Sequence, residues 1–214
     1  MQSTNTLSIP ETLEEVVAPK RTALLVYDMQ NGILPYVQRG ESVKAAVSSL
    51  VEAAHRVGTP VFFSRHYSLP LKFAGLAQLR SAMRFQRASR VEDLKPHLLQ
   101  GSPEYQLVPE LSPGSDDMVF DKLGMSFFIG TPLEYCLRDL GIVTVVICGC
   151  VAEIGIEPTV LHAADLGFLT VCVSDACGSL SEKSHAAVMS KLGQTGFISE
   201  SKDLVAIWRG GPRT

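Results

Sequence analysis

Thr22-Ala23-Leu24-Leu25-Val26-Tyr27-Asp28 is the stretch on which the fold turns: six apolar or branched residues in a row, then a carboxylate. A strand with one face in water alternates apolar and polar side chains. This one does not, so both of its faces are expected to be covered, as when helices pack on each side of parallel strands. Runs of the same character recur at Pro60 to Ser64, Met118 to Phe120 with its flanks, Val143 to Cys148 and Leu169 to Val173. Helical patterns lie between them. Glu41 to Val57 carries Val43, Ala46, Leu50, Ala53 and Ala54 at three- and four-residue spacing and stops at Gly58, a C-terminal cap. Thr131 and Pro132 read as the N-cap and first residue of a helix running to Asp139 and stopped by Gly141. Further helices are expected over Glu157 to Leu166, ended by Gly167, and over Glu182 to Leu192, the last of the chain. Strands alternating with helices through right-handed crossovers predict an α/β fold, a mostly parallel doubly wound sheet with helices on both faces.

The composition fits that outline. Of 214 residues, 46% are hydrophobic and 19% charged, enough apolar material for one globular core. A single domain spanning 1–214 is expected, with a long insertion at about 67–117 between the second and third strands. That segment greatly exceeds the usual connection of roughly two to six residues, so it is expected to contain a helix of its own. There Phe73, Leu76, Leu79 and Met83 recur at helical spacing beside the basic residues Lys72, Arg80, Arg84, Arg87 and Arg90. A lid, a subunit contact or a plain solvated helix would each use such a segment. A formal charge of -3 supplies no general reason to bind nucleic acid or an anionic membrane, and no apolar run approaches a membrane span. Residues Met1 to Ser8 lack the basic start and apolar core of a secretory signal, and the five cysteines are odd in number and lie mostly in apolar runs. The expectation is a cytoplasmic protein with reduced thiols. Trp208 reads as a final packing anchor and Arg209 to Thr214 as a flexible end.

In a parallel sheet, ligands bind outside the carboxyl ends of the strands. Three places there carry chemistry. Asp28 closes the first run and is a candidate general acid or base; Lys122 closes Met118-Val119-Phe120-Asp121-Lys122 and is its candidate partner. The segment from Gly149 through Cys150, Val151, Ala152, Glu153, Ile154 and Gly155 turns from strand into helix and converges backbone N–H groups on a substrate carbonyl or oxyanion.

Asp28, Lys122 followed by Ser126-Phe127 and Gly130-Thr131-Pro132-Leu133, and the segment Gly149 to Ala163 together resemble the isochorismatase-like, or cysteine hydrolase, superfamily. The resemblance covers most of the chain. It implies a Rossmann-like three-layer sandwich, self-association into homo-oligomers and a hydrolase acting on a small molecule, an anion among the candidates. Amidase members carry a nucleophilic cysteine where this chain has Gly155, so a covalent step at that position is excluded. Isochorismatases proper resemble this chain in having a small residue there while keeping the aspartate and lysine. The implied reaction is vinyl ether hydrolysis by water, with Asp28 as general acid or base and Lys122 holding it. The alternatives are an amide or ureide hydrolase using activated water or Cys150, and a catalytically inactive small-molecule binding protein. Gly155, Val151, Ala152 and Ile154 are expected to contact substrate through backbone, with Phe127, Phe128 and Tyr67 as pocket walls. The missing side chain at Gly155 is expected to leave a space for water or a bulkier substrate. The resemblance also places a non-proline cis peptide near Cys150-Val151-Ala152. No metal site is expected, since His66 stands alone until Glu92, Asp93 and His97, and neither nucleotide fingerprint is present, so no cofactor is implied.

Overall fold

The computed structural model describes residues 2–3 and 7–210. Thr22–Tyr27 forms β1, buried at all six positions as its continuous apolar character requires. Val61–His66 forms β2, Met118–Lys122 β3, Thr144–Cys150 β4, Leu169–Gly178 β5 and Phe197–Ser199 β6. They make one sheet in the order β3-β2-β1-β4-β5-β6, with every neighbouring pair parallel. That order reverses direction between β1 and β4, the switch point at which doubly wound sheets open a crevice.

The pleat of the central strands sorts their side chains onto two cores. Leu24 and Val26 of β1, with Val146, Cys148 and Cys150 of β4, face Val43, Val47, Leu50 and Ala54 of helix α1 (Gly40–Val57). Ala23, Leu25 and Tyr27, with Val145 and Ile147, face the opposite layer. Between β2 and β3, residues 67–117 hold α2 (Leu76–Gln86) and several single 3₁₀ turns. The helix α2 buries none of its residues, and Leu76 is 89% exposed. The opposite layer is built by α3 (Leu133–Asp139), α4 (Glu157–Asp165) and α5 (Glu182–Leu192), through Leu133, Leu137, Val160, Ala163, Val188 and Leu192.

The helix ends follow their residue types. Gly58 caps α1 at φ +71°, and Gly141 and Gly167 also turn at positive φ. Pro132 precedes α3 and is not its first residue; Thr131 Oγ1 accepts from Leu133 N–H at 3.3 Å and donates to Phe127 O at 2.6 Å.

The chain does not end its regular structure at Leu192, as the periodicity suggests. After α5 come β6 and a further helix, α6 (Ser201–Trp208), packed beside α1. Three strand residues and eight helical ones are too short to register as a repeat in a sequence window. The Asp175 carboxylate starts α6 by accepting from Ser201 N–H at 2.7 Å and Oγ–H at 2.5 Å. Trp208 does anchor the end: it is buried and its indole N–H donates to Val17 O at 3.0 Å. Residues 211–214 of the expected flexible end lie outside the described residues.

Candidate functional site

Asp28 leaves the end of β1 at φ +45°, a left-handed conformation that costs an L-residue ~1 kcal/mol and that aspartate tolerates better than most. The turn carries its side chain across the strand ends, and β2 supplies what holds it there. Ser64, fully buried, accepts from Asp28 N–H at 3.1 Å and donates to Asp28 Oδ1 at 2.5 Å. Lys122 reaches over β2 from β3, placing Nζ 2.7 Å from Asp28 Oδ2. Both groups are almost wholly buried, Asp28 3% and Lys122 2% exposed. Sequence reasoning paired these two residues, and the structure sets their charged groups in direct contact. Burial pulls the Lys122 ammonium below its ordinary 10.5, against the attraction of Asp28.

A third group completes the cluster. Lys122 Nζ also donates to Tyr27 Oη at 2.7 Å and lies 3.4 Å from Gly124 O, while the Tyr27 hydroxyl donates in a short bond to Met125 O. Burial, and then the charge of Asp28, raise the Tyr27 phenol well above its ordinary 10, so it remains protonated.

Tyr27 overturns one expectation. The place left by the missing side chain at Gly155 is not an empty space for water or substrate, because a Cβ built there falls inside the van der Waals envelope of Tyr27 Oη, Cζ and Cε1. The ring stands where a side chain of residue 155 would project. Gly155 is reached through a single π-helical turn, Ala152–Ile156, in which Gly155 N–H and Ile156 N–H both donate to Val151 O, at 2.9 and 3.3 Å. The Cys150–Val151 peptide is cis.

The remaining expected contacts divide by burial. Val151 and Ala152 are buried in the turn, and Ile154 is 41% exposed on its outer side. Phe127 has no exposed surface and packs edge-on against Tyr27, ring centroids 6.4 Å apart, with its N–H donating to Thr159 Oγ1. Phe128 lies on Phe168 and His162. Tyr67 is half-buried next to Lys122, to whose carbonyl it donates its backbone N–H at 3.1 Å. Cys150 points to the α1 face, its thiol 3.5 Å from Met29 Sδ and pushed up by burial, so it stays unionised and turned away from Tyr27.

Sequence reasoning passed over three residues here: Tyr27, Ser64 and Gln30. Ser64 closes an apolar run just as Asp28 does, a signal available in the sequence. Gln30, with no exposed surface, accepts from His66 N–H at 2.8 Å and donates to His66 O at 2.9 Å and Tyr105 O at 2.7 Å. It fastens the inserted segment to the strand ends beside the site. Among the described residues no three His, Cys, Asp or Glu side chains gather as a metal site. A cavity of about 170 Å³ lies over β5, between the starts of α1 and α5, and a cleft of about 510 Å³ lies beside Asn31, Lys44 and Glu110. Asp28, Lys122 and Tyr27 line neither of these two, and all three are almost wholly buried.

The chain matches the isochorismatase domain family over residues 22–202. It is 30% identical over 179 residues to the isochorismatase family protein YwoC of Bacillus subtilis, spanning 79% of this chain and 84% of that one. With the ureidoacrylate amidohydrolase RutB of Acinetobacter baylyi it shares 28% identity over 213 residues, 92% of this chain and 86% of its relative. The solved structure of an isochorismatase family protein from Burkholderia thailandensis superposes with a TM-score of 0.73 at 26% identity, covering 89% of this chain and 96% of that one. The family match takes in all six strands of the sheet together with Asp28, Lys122 and the turn at Gly155. The chain belongs to the isochorismatase family of hydrolases.

Proposed function

We propose that this hydrolase cleaves a small molecule with water, without a covalent enzyme intermediate, and that a vinyl ether is the favoured substrate class. The observation carrying this reading is the Asp28–Lys122 pair itself, buried at the β1/β4 switch point beside a residue 155 that has no side chain to attack with. In its acid form Asp28 gives a proton to the terminal vinyl carbon. Water adds to the oxygen-bearing carbon and returns a proton to the carboxylate, and the hemiketal collapses to a carbonyl compound and an alcohol. Lys122 balances the carboxylate charge between the two transfers, and Ser64 fixes the carboxylate plane. The turn Val151 to Gly155 and Tyr67 are the proposed substrate contacts.

A second reading, hydrolysis of an amide or ureide by activated water, is favoured by the likeness to an amidohydrolase that RutB's name declares. Cys150 is a poor nucleophile for it, being buried on the other face of the sheet. Purified protein assayed against vinyl ethers, amides and ureides, beside Asp28→Asn and Lys122→Ala, separates these. Turnover of vinyl ethers, lowered ~100-fold or more by each substitution, supports the proposal, and turnover of amides or ureides in their place supports the second reading. Turnover that survives both refutes it, and an inert panel favours a binding protein.

A further inference from the structure

Tyr27 belongs to the site by three independent observations. Its ring fills the volume a side chain at residue 155 would need. Its hydroxyl oxygen accepts from the same Lys122 Nζ that contacts Asp28, each at 2.7 Å. Its own proton is spent on Met125 O, so what it offers the ammonium is a lone pair. A neutral phenol holds that ammonium in place without cancelling its charge. The pleat explains how this comes about: Tyr27 is the last residue of β1 and shares the α3–α5 face with the turn that carries Gly155.

Building on the reading of Asp28 and Lys122 as the working pair, we propose that Tyr27 is a positioning residue for Lys122 and also excludes a nucleophilic side chain at residue 155. Residues 27 and 155 then decide jointly whether the pair serves a water molecule or a side-chain nucleophile. A bulky ring at 27 demands glycine at 155, and a small residue at 27 makes room for a thiol.

Two substrate-free measurements test this, so their failure is distinct from an inert substrate panel. The first is a thermal-stability cycle over Gly155→Cys, Tyr27→Val and the double variant. Gly155→Cys alone is expected to lower Tm by roughly 2–12 °C through overpacking. In the Tyr27→Val background the same change is expected to leave Tm unchanged or raise it, because the thiol refills vacated space. Equal losses in both backgrounds overturn the exclusion. Gly155→Ala paired with Tyr27→Leu runs the same cycle if the cysteine variants do not fold.

The second measurement follows the titration of Lys122 by NMR of protein carrying ¹³C at lysine Cε, with Lys122→Met assigning the signal. Tyr27→Phe keeps the ring and loses one acceptor for the ammonium. The Lys122 midpoint is expected to fall by about 0.5–1 pH unit, the size of one hydrogen bond's net contribution. A purely structural role for the ring leaves that midpoint where it is, and an unchanged midpoint overturns the positioning role.

Discussion

Replacing Lys122 with methionine keeps most of the apolar stem of the side chain and removes the ammonium, and with it the donors to Asp28 Oδ2, Tyr27 Oη and Gly124 O. Asp28 then keeps its bond from Ser64 and loses its cation, in a place where it is 3% exposed. Breaking a buried pair from one side costs ~3–5 kcal/mol, because a desolvated charge is left uncompensated. For a chain of 214 residues that corresponds to a Tm loss of roughly 6–20 °C. Lys122→Met/Asp28→Asn removes both charges, and the asparagine amide still meets Ser64. It is expected to recover at least half of the loss, since a buried ion pair replaced on both sides is often close to neutral. Urea unfolding followed by fluorescence is well placed to read this, because Trp208 is the sole tryptophan and is buried at the end of α6, its indole N–H bonded to Val17 O. Single and double variants with equal stability, or a single variant within ~1 kcal/mol of the parent, would refute the description of the pair as buried and mutually dependent.

Ser64→Ala strips Asp28 N–H of its acceptor and the carboxylate of a donor, and is expected to cost ~1–3 kcal/mol in urea unfolding and to lower turnover. A chain that loses neither shows that Ser64 does not hold Asp28. Activity that requires the Lys122 ammonium is complete on the acid side of that group and falls as pH rises through it, so the alkaline limb of the pH–rate profile is expected below 10.5. Tyr27 shifts the other way, so no tyrosinate absorbance from it accompanies that limb; a limb at or above 10.5 contradicts the burial argument. Cys150→Ala is expected to leave turnover at the parental level, because the thiol lies on the α1 face; a large loss there would revive a sulfur-based reaction.

Much of this architecture was legible because burial on both sides of a sheet leaves a local signature. β1 is continuous in apolar character from Thr22 to Tyr27, and the structure sets the strand at those same residues. The helix ending at Gly58 announces its stop through glycine's tolerance of positive φ. Asp28 and Lys122 were visible as polar residues ending apolar runs. Tyr27 was not, since a tyrosine in such a run reads as an ordinary strand former. Its meaning depends on the absence of a side chain at Gly155, far along the chain, and only the fold brings the two together. Phe127 illustrates the same limit: an aromatic beside a strand end serves equally as wall or core, and here the ring opposite it is Tyr27. The closing strand and helix are too short to carry a periodic signal, and the groups that fix the helix, Asp175 and Val17, lie elsewhere in the chain.

The carbonyls of Gly124 and Met125 are held by the very groups they screen, the first by the ammonium and the second by the phenol. Met125 itself is 47% exposed, so its outer surface meets solvent while its inner oxygen is tied down. Drawing this stretch of chain away would leave the ammonium and the phenol each short of one acceptor, and an unpaired buried donor costs ~1–3 kcal/mol. The two backbone oxygens therefore tie an otherwise exposed turn to the interior, and the turn gains its order from the same polar cluster that it covers.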